Sequence, residues 1–248
     1  GAPMRLIEND PTYNPYEHDN EVDDYTQSHY QLHLSHNATE KIKLNAAFHY
    51  TRGKGYYEQY KGIGQNALIN YYSQENLADY GLDTIFTDSG DTISQTDLIR
   101  RRWLDNHFYG LVFSGEYNSE KLQLTVGGGA NQYFGKHFGE VIWSQYASNG
   151  SIRHPYYDND ATKNDINIYA KMNYKLQSNL DLYVDLQQRY INYEFLGFDN
   201  ELNNVNQTAE LLFFNPKAGV NYQINNNNKI YTFVGIGNKE PNRNDYTN

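Results

Sequence analysis

The stretch Ile42–Gly53, IKLNAAFHYTRG, sets the period of the chain. Its even positions are Ile42, Leu44, Ala46, Phe48 and Tyr50; its odd positions are Lys43, Asn45, Ala47, His49 and Thr51. Successive side chains of a β-strand point to opposite faces, so the stretch predicts a strand with one apolar and one mostly polar face. Helical spacing is almost absent from the chain.

The same alternation recurs on both sides of it, in segments that predict about eight strands in all. Tyr25–His36 sets Tyr30, Leu32 and Leu34 against His29, Gln31 and His33. Arg101–Tyr117 carries Tyr109, Leu111, Phe113 and Tyr117 on one face, and Leu122–Lys136 sets Leu122, Leu124 and Val126 against Gln123 and Thr125 before a Gly127–Gly129 run. Asn164–Leu176, Leu180–Phe198, Thr208–Ile224 and Lys229–Asn238 complete the series.

Short polar turns fall near 37–41, 118–121, 177–179 and 225–228, and long connections near 54–98, 137–163 and 199–207. Short and long alternate strictly. A meander that is tight at one end and loose at the other is the layout of an outer-membrane barrel. Several segments also exceed the roughly 9–11 residues that cross a bilayer. A soluble sandwich has strands of about 5–6 residues and no such asymmetry.

Composition narrows the function classes. The chain has 248 residues and no cysteine, which excludes disulfide scaffolds, zinc–thiolate sites and thiol nucleophiles. A net charge of −10 argues against a nucleic-acid surface. The 25 tyrosines do not suit a disordered chain. No run of about 18 apolar residues occurs, which excludes a spanning helix but not a spanning barrel. The opening GAPMRLIENDPTYNP lacks the cationic start and apolar stretch of a signal peptide, so the expectation is that a signal was removed or that the chain is an internal piece. No Gly-x-Ser-x-Gly, phosphate-loop or His-Glu-x-x-His pattern is present, and an enzyme is not expected.

Seven stretches then resemble a known family: DDYTQSHYQLHLSH (23–36), LNAAFHYTRGKGYYEQYK (44–61), DLIRRRWLDNHFYGLVFSGEY (97–117), GGGANQYFGKHFGEVIW (127–143), DINIYAKMNYKL (165–176), FFNPKAGVNYQI (213–224) and GNKEPNRNDYTN (237–248). Their order is that of the barrel of TonB-dependent outer-membrane receptors, in particular those of Bacteroidota. The resemblance implies an all-β fold, an antiparallel up-and-down transmembrane β-barrel. Residues 1–248 would supply about eight strands of a barrel of roughly 22. It further implies an outer-membrane location among lipid and lipopolysaccharide. It implies coupling to the TonB complex through a plug that is not among these residues. The implied activity is uptake of a bulky scarce nutrient, a ferric siderophore first, haem or cobalamin next. No cofactor is implied. Two other readings of the residues stay open: a self-contained barrel of about eight strands serving as an adhesin or structural protein, and a soluble β-sandwich binding module.

Candidate ligand contacts lie beside the long connections. Tyr56, Tyr57 and Tyr60 open the first, and Trp143, Tyr156 and Tyr157 belong to the second. Rigid rings with a polar tip bind mixed polar and apolar ligands at low entropic cost, but Tyr and Trp also gather at membrane interfaces. Arg100 and Arg102 share the face opposite Tyr109 and Leu111, where they would point into a lumen and attract an anionic chelate. Asp105, in the apolar register, hints at a bulge that would reverse this facing. His29, His33 and His49 read as polar wall packing rather than metal ligands, and no metal site is expected. Asp158, Asp160 and Asp165 read as a solvated acidic loop. Glu240, Arg243 and Asp245, around Pro241, read as a charge network within the lumen.

Overall fold

A computed structural model describes residues 4–8, 10–14, 16, 18–63, 74–147, 149–197, 204 and 206–241. Its body is one nine-stranded antiparallel sheet. The strands are β1 (Asp23–Asn37), β2 (Ile42–Lys61), β3 (Leu98–Asn118), β4 (Leu122–Ser144), β5 (His154–Gln177), β6 (Leu180–Phe195), β7 (Gln207–Phe214), β8 (Lys217–Asn225) and β9 (Asn228–Gly235). Each pairs with its neighbours in sequence, except that β7 and β8 both lie against β6. Consecutive antiparallel pairing makes this the up-and-down sheet that the alternation predicts.

β7 and β8 are one strand interrupted by a proline. Gln188 faces Phe214 and Asp185 faces Lys217, so the register against β6 is the same on both sides of Asn215–Pro216. Pro216 has no N–H to donate. Its carbonyl still accepts from the Ile236 N–H at 2.9 Å, while the Asn215 N–H reaches the Gln187 carbonyl at 2.8 Å.

The strands run further than the alternation predicts. β2 continues from Gly53 to Lys61, and β4 and β5 run to Ser144 and from His154. Tyr56, Tyr57, Tyr60, Trp143, Tyr156 and Tyr157 are therefore strand residues. The ladder between β2 and β3 holds one register from Ile42–Tyr117 to Lys61–Leu98. Asp105 marks no bulge. It stays in the apolar register and pairs with Arg52 at 2.5 Å.

Cross-strand partners share a face, so the registers define both faces of the sheet. Leu32, Phe48, Leu111, Ala130, Ile166, Tyr190 and Leu212 form one continuous row. Leu34, Ala46, Phe113, Gly128 and Ile168 form the next on the same face. These side chains are open to the surroundings: Leu32 is 56% exposed, Phe113 44% and Ile168 54%. No second sheet covers them among the described residues, which removes the β-sandwich reading. The opposite face carries His33, Asn45, Ser114, Asn167 and Tyr169 and is grooved. β1 and β9 each have a single neighbour and do not meet, so these strands do not close on themselves as a self-contained small barrel would.

The tight turns between β1 and β2, β3 and β4, β5 and β6, and β8 and β9 all lie at one end. At the other end, residues 74–97 fold into a small lobe. It holds two-residue strand pairs, Glu75–Asn76 with Gln95–Thr96 and Ile85–Phe86 with Thr92–Ile93, and a 3-10 turn at Leu77–Tyr80. Gly81 ends that turn at φ 65°, a conformation glycine adopts without strain. Leu77, Tyr80 and Leu82 of the lobe pack with Leu98 and Val141 of the sheet into a buried cluster, with Tyr156 against it.

Candidate functional site

Position on β2 to β5 decides what each candidate side chain can do. Tyr57, Arg102, Gly139 and Tyr157 are partners in one row of the polar face. Gln59, Arg100 and Val141 form the next row towards the long connections. Tyr57, Arg100, Arg102 and Tyr157 are thus brought together. Tyr156 joins them through a shift in the β4–β5 register at Gly139/Glu140. Its ring lies 4.9 Å from Tyr157 and 4.6 Å from Tyr80.

The two guanidinium groups sit among rings. Arg102 lies over Tyr57 at 5.7 Å and over Tyr157 at 5.6 Å, and its Nε donates to the Tyr157 hydroxyl at 3.4 Å. A cation over an aromatic face is held by the ring quadrupole. Arg100 donates to Gln59 Oε1 at 3.1 Å and to the Tyr80 hydroxyl at 2.5 Å. That hydroxyl donates in turn to Glu75 at 3.0 Å. Lys61 reaches Glu75 at 3.7 Å. Burial pushes the Tyr80 phenol well above the ordinary range, so it stays protonated and keeps its proton for Glu75.

Tyr56, Tyr60 and Trp143 are not part of this group. Tyr56 pairs with Trp103, Tyr60 with Ile99, and Ile99 with Trp143, all in the register of Tyr109 and Leu111 on the apolar face. Tyr56 packs on Trp103 at 4.6 Å and under Arg101 at 4.2 Å. The Tyr60 hydroxyl donates to Asp97 at 2.7 Å, and Trp143 is 47% exposed. The first long connection also carries Tyr71, Tyr72 and Tyr80; Tyr71 and Tyr72 lie outside the described residues, and Tyr80 is the lobe's contact with Arg100. Gln59 and Glu75 were missed as partners. Gln59 was recoverable by carrying the alternation on from Gly53 through Tyr57.

The acidic candidates disperse. Asp158 and Asp160 lie on the apolar-face register, and Asp165 on the polar one, where Arg189 holds it at 2.5 Å. Glu240 returns from beyond β9 to that polar face, pairing with Arg189 at 3.2 Å and with Lys163. Arg243 and Asp245 lie outside the described residues. Among the described residues no three His, Asp or Glu side chains are grouped to hold a metal ion.

The arrangement offers cationic and aromatic contacts on the polar face, beside a packed lobe, at the end opposite the tight turns. Comparison with known structures matches this fold to the ferric-catecholate import receptor Fiu from E. coli K12 in its open form. The identity is 12%, the match covers 90% of this chain and 37% of that one, and the TM-score is 0.52. The siderophore receptor PiuA from Acinetobacter baumannii matches at 15% identity, with 86% and 32% of the two chains covered and a TM-score of 0.50. This chain therefore spans about a third of the receptors it resembles. A search of curated proteins gave no match. The family model described as TonB dependent receptor-like, beta-barrel, matches residues 4–248, and with that span the chain belongs to the β-barrel family of TonB-dependent receptors.

Proposed function

We propose that these strands form part of the wall of an outer-membrane receptor that takes up a bulky, scarce nutrient, a ferric siderophore first, with haem or cobalamin as the next ligand classes. In this reading the apolar face meets lipid and the polar face lines the lumen. The long connections and the lobe lie outside the cell. The observation that carries the ligand reading is the convergence of Arg100, Arg102, Tyr57, Tyr156 and Tyr157 on the luminal face at the extracellular end. Two guanidinium groups draw an anion and the rings give it apolar surface, so a charged chelate with an organic shell suits both. The ferric-catecholate and siderophore specificities of the two structural neighbours are compatible with that chemistry. TonB would act through a plug elsewhere in the receptor, and these residues would supply anchoring, wall and vestibule.

The test is uptake of radiolabelled iron by iron-starved cells whose receptor carries both Arg100→Ala and Arg102→Ala. Loss of two charge-assisted contacts, each worth about 1.5–3 kcal/mol, is expected to weaken apparent affinity for an anionic chelate at least about tenfold. Unchanged uptake of every anionic chelate offered, with normal receptor levels in the membrane, would remove the vestibule reading.

A further inference from the structure

One carboxylate is set among the cations of the polar face, and it comes from the lobe rather than from the sheet. Arg102 and Arg100 stand in successive rows of β3, and Lys61 follows in the row of Leu98 on β2. Glu75 meets two of these. One of its oxygens lies 3.7 Å from Lys61 Nζ, and the other accepts from the Tyr80 hydroxyl at 3.0 Å. That same hydroxyl accepts from Arg100 at 2.5 Å. Asp23 shares the row of Tyr57 but is exposed at the edge of β1.

The base of the lobe fixes where Glu75 stands. Glu75 pairs with Thr96, which is fully buried. The Thr96 hydroxyl accepts from the Tyr146 N–H at 2.9 Å and lies 3.0 Å from the Ser144 hydroxyl. Beside it, Gln74 donates to Asp97 at 2.9 Å. A carboxylate carried on a strand pair with a buried anchor is presented at a set place, unlike one at the end of a free loop.

Cations withdrawn from water need a counter-charge, and Lys61 is only 16% exposed. Glu75 supplies that charge when nothing else is bound. A ligand that takes Lys61 and Arg100 must displace the carboxylate, at a cost that is the same for every ligand. A multiply charged chelate recovers the cost through several charge-assisted contacts. A small anion that reaches one cation does not. Built-in competition of this kind is a common source of specificity. The Tyr156 hydroxyl, beside Tyr80, is buried with no hydrogen-bond partner among the described residues. The closed arrangement thus leaves a polar group for an incoming ligand to satisfy.

We infer that Glu75 is a specificity-determining residue: an internal counter-anion that occupies the cationic site of the empty receptor and sets the charge a ligand must carry to replace it. The inference rests on the vestibule reading proposed above. Tyr80 orients Arg100 with or without a ligand, whereas Glu75 competes with the ligand.

The test measures binding to the purified intact receptor in detergent, by quenching of its intrinsic fluorescence. The probes are an anionic ferric tris-catecholate, a neutral ferric tris-hydroxamate, and inorganic phosphate as competitor. Glu75→Gln keeps the side chain's shape and an oxygen for the Tyr80 hydroxyl but removes the charge. The expected result is catecholate binding at least about tenfold tighter, the loss of one charge-assisted competitor. The hydroxamate complex gains nothing, and phosphate now inhibits where it leaves the unaltered receptor unaffected. Glu75→Asp keeps the charge and should keep the original selectivity. A merely structural role for the side chain would make the two variants alike. Unchanged catecholate affinity in Glu75→Gln, or an equal gain for both chelates, overturns the inference. The vestibule reading then stands if Arg100→Ala with Arg102→Ala still weakens catecholate binding. If that double variant binds as the unaltered receptor does, or the unaltered receptor binds neither chelate, the vestibule reading falls and the inference with it.

Discussion

Gly127 has no room for a side chain. A Cβ there would sit 2.6 Å from the Phe113 carbonyl oxygen and 2.6 Å from the Tyr169 hydroxyl, because that ring lies flat across β4. A tyrosine laid over a glycine on the neighbouring strand covers the backbone of the polar face. Gly127→Val should therefore cost about 1–3 kcal/mol of stability, read from urea unfolding of the receptor in detergent. Tyr80→Phe probes a different contact. It keeps the packing on Leu77 and Tyr156 but removes the hydroxyl between Arg100 and Glu75. The expected cost is about 1 kcal/mol in the same assay, with a larger effect on affinity for an anionic chelate, since Arg100 loses the group that orients it. The Gly127–Gly129 run was visible in the sequence, but its reason was not. Only the register shows that Tyr169 is the residue opposite Gly127.

The strands were legible where an apolar face opposes a polar one and illegible where that contrast ends. Between Ile42 and Tyr50 the contrast between the two faces is strong. From Arg52 onward the outer positions are Arg52, Lys54, Tyr56 and Glu58, and the contrast vanishes although the strand continues to Lys61. The period persists, but both faces are polar. That is why Tyr56 and Tyr60 read as loop residues beside Tyr57, when an odd–even count would have separated them. Arg100 and Arg102 were placed on the correct face because that count was applied to them. The Pro216 interruption was hidden for another reason: the register continues across it. Lobe docking is testable through Asp97. Burial would raise its pKa, but hydrogen bonds from Tyr60, Gln74 and the Ile63 N–H outweigh that and hold it below the ordinary 3.8. A carboxylate depressed on folding adds stability that is complete above its unfolded pKa and is lost as pH falls through the folded value. Proteolysis within residues 74–97 should therefore accelerate below about pH 4. Asp97→Asn should be susceptible already at neutral pH and lose that dependence.

At the scale of the molecule, the two faces make opposite demands. Ile168 is 54% exposed on the apolar face, and Asn167, the adjacent residue, faces the other way. Ile168→Lys is expected to cost about 2–4 kcal/mol near the bilayer midplane and to deplete the receptor from the outer-membrane fraction. Asn167→Lys should leave its level unchanged, because its side chain points into the polar groove. Comparable levels of the two variants would contradict the assignment of faces. The strands and their two-sidedness were thus readable from alternation, whereas the barrel class needed the connection lengths and the family resemblance as well. The grouping of four β-strands around Arg102 was not, since it depends on pairings between residues far apart in the sequence.

The asymmetry of the connections also bears on how such a sheet is made. A tight turn such as that between Asn37 and Ile42 brings two strands into register at little entropic cost, whereas joining Lys61 to Leu98 must first close a much longer segment. Four hairpins, β1–β2, β3–β4, β5–β6 and β8–β9, can therefore zip outward from their turns as separate ribbons before any seam between them forms. Assembly would then proceed ribbon by ribbon, with amides nearest the turns the first to resist exchange in a pulse-labelled refolding experiment. The row of Tyr57, Arg102 and Tyr157, drawn from three different ribbons at their far ends, would be among the last structures to exist.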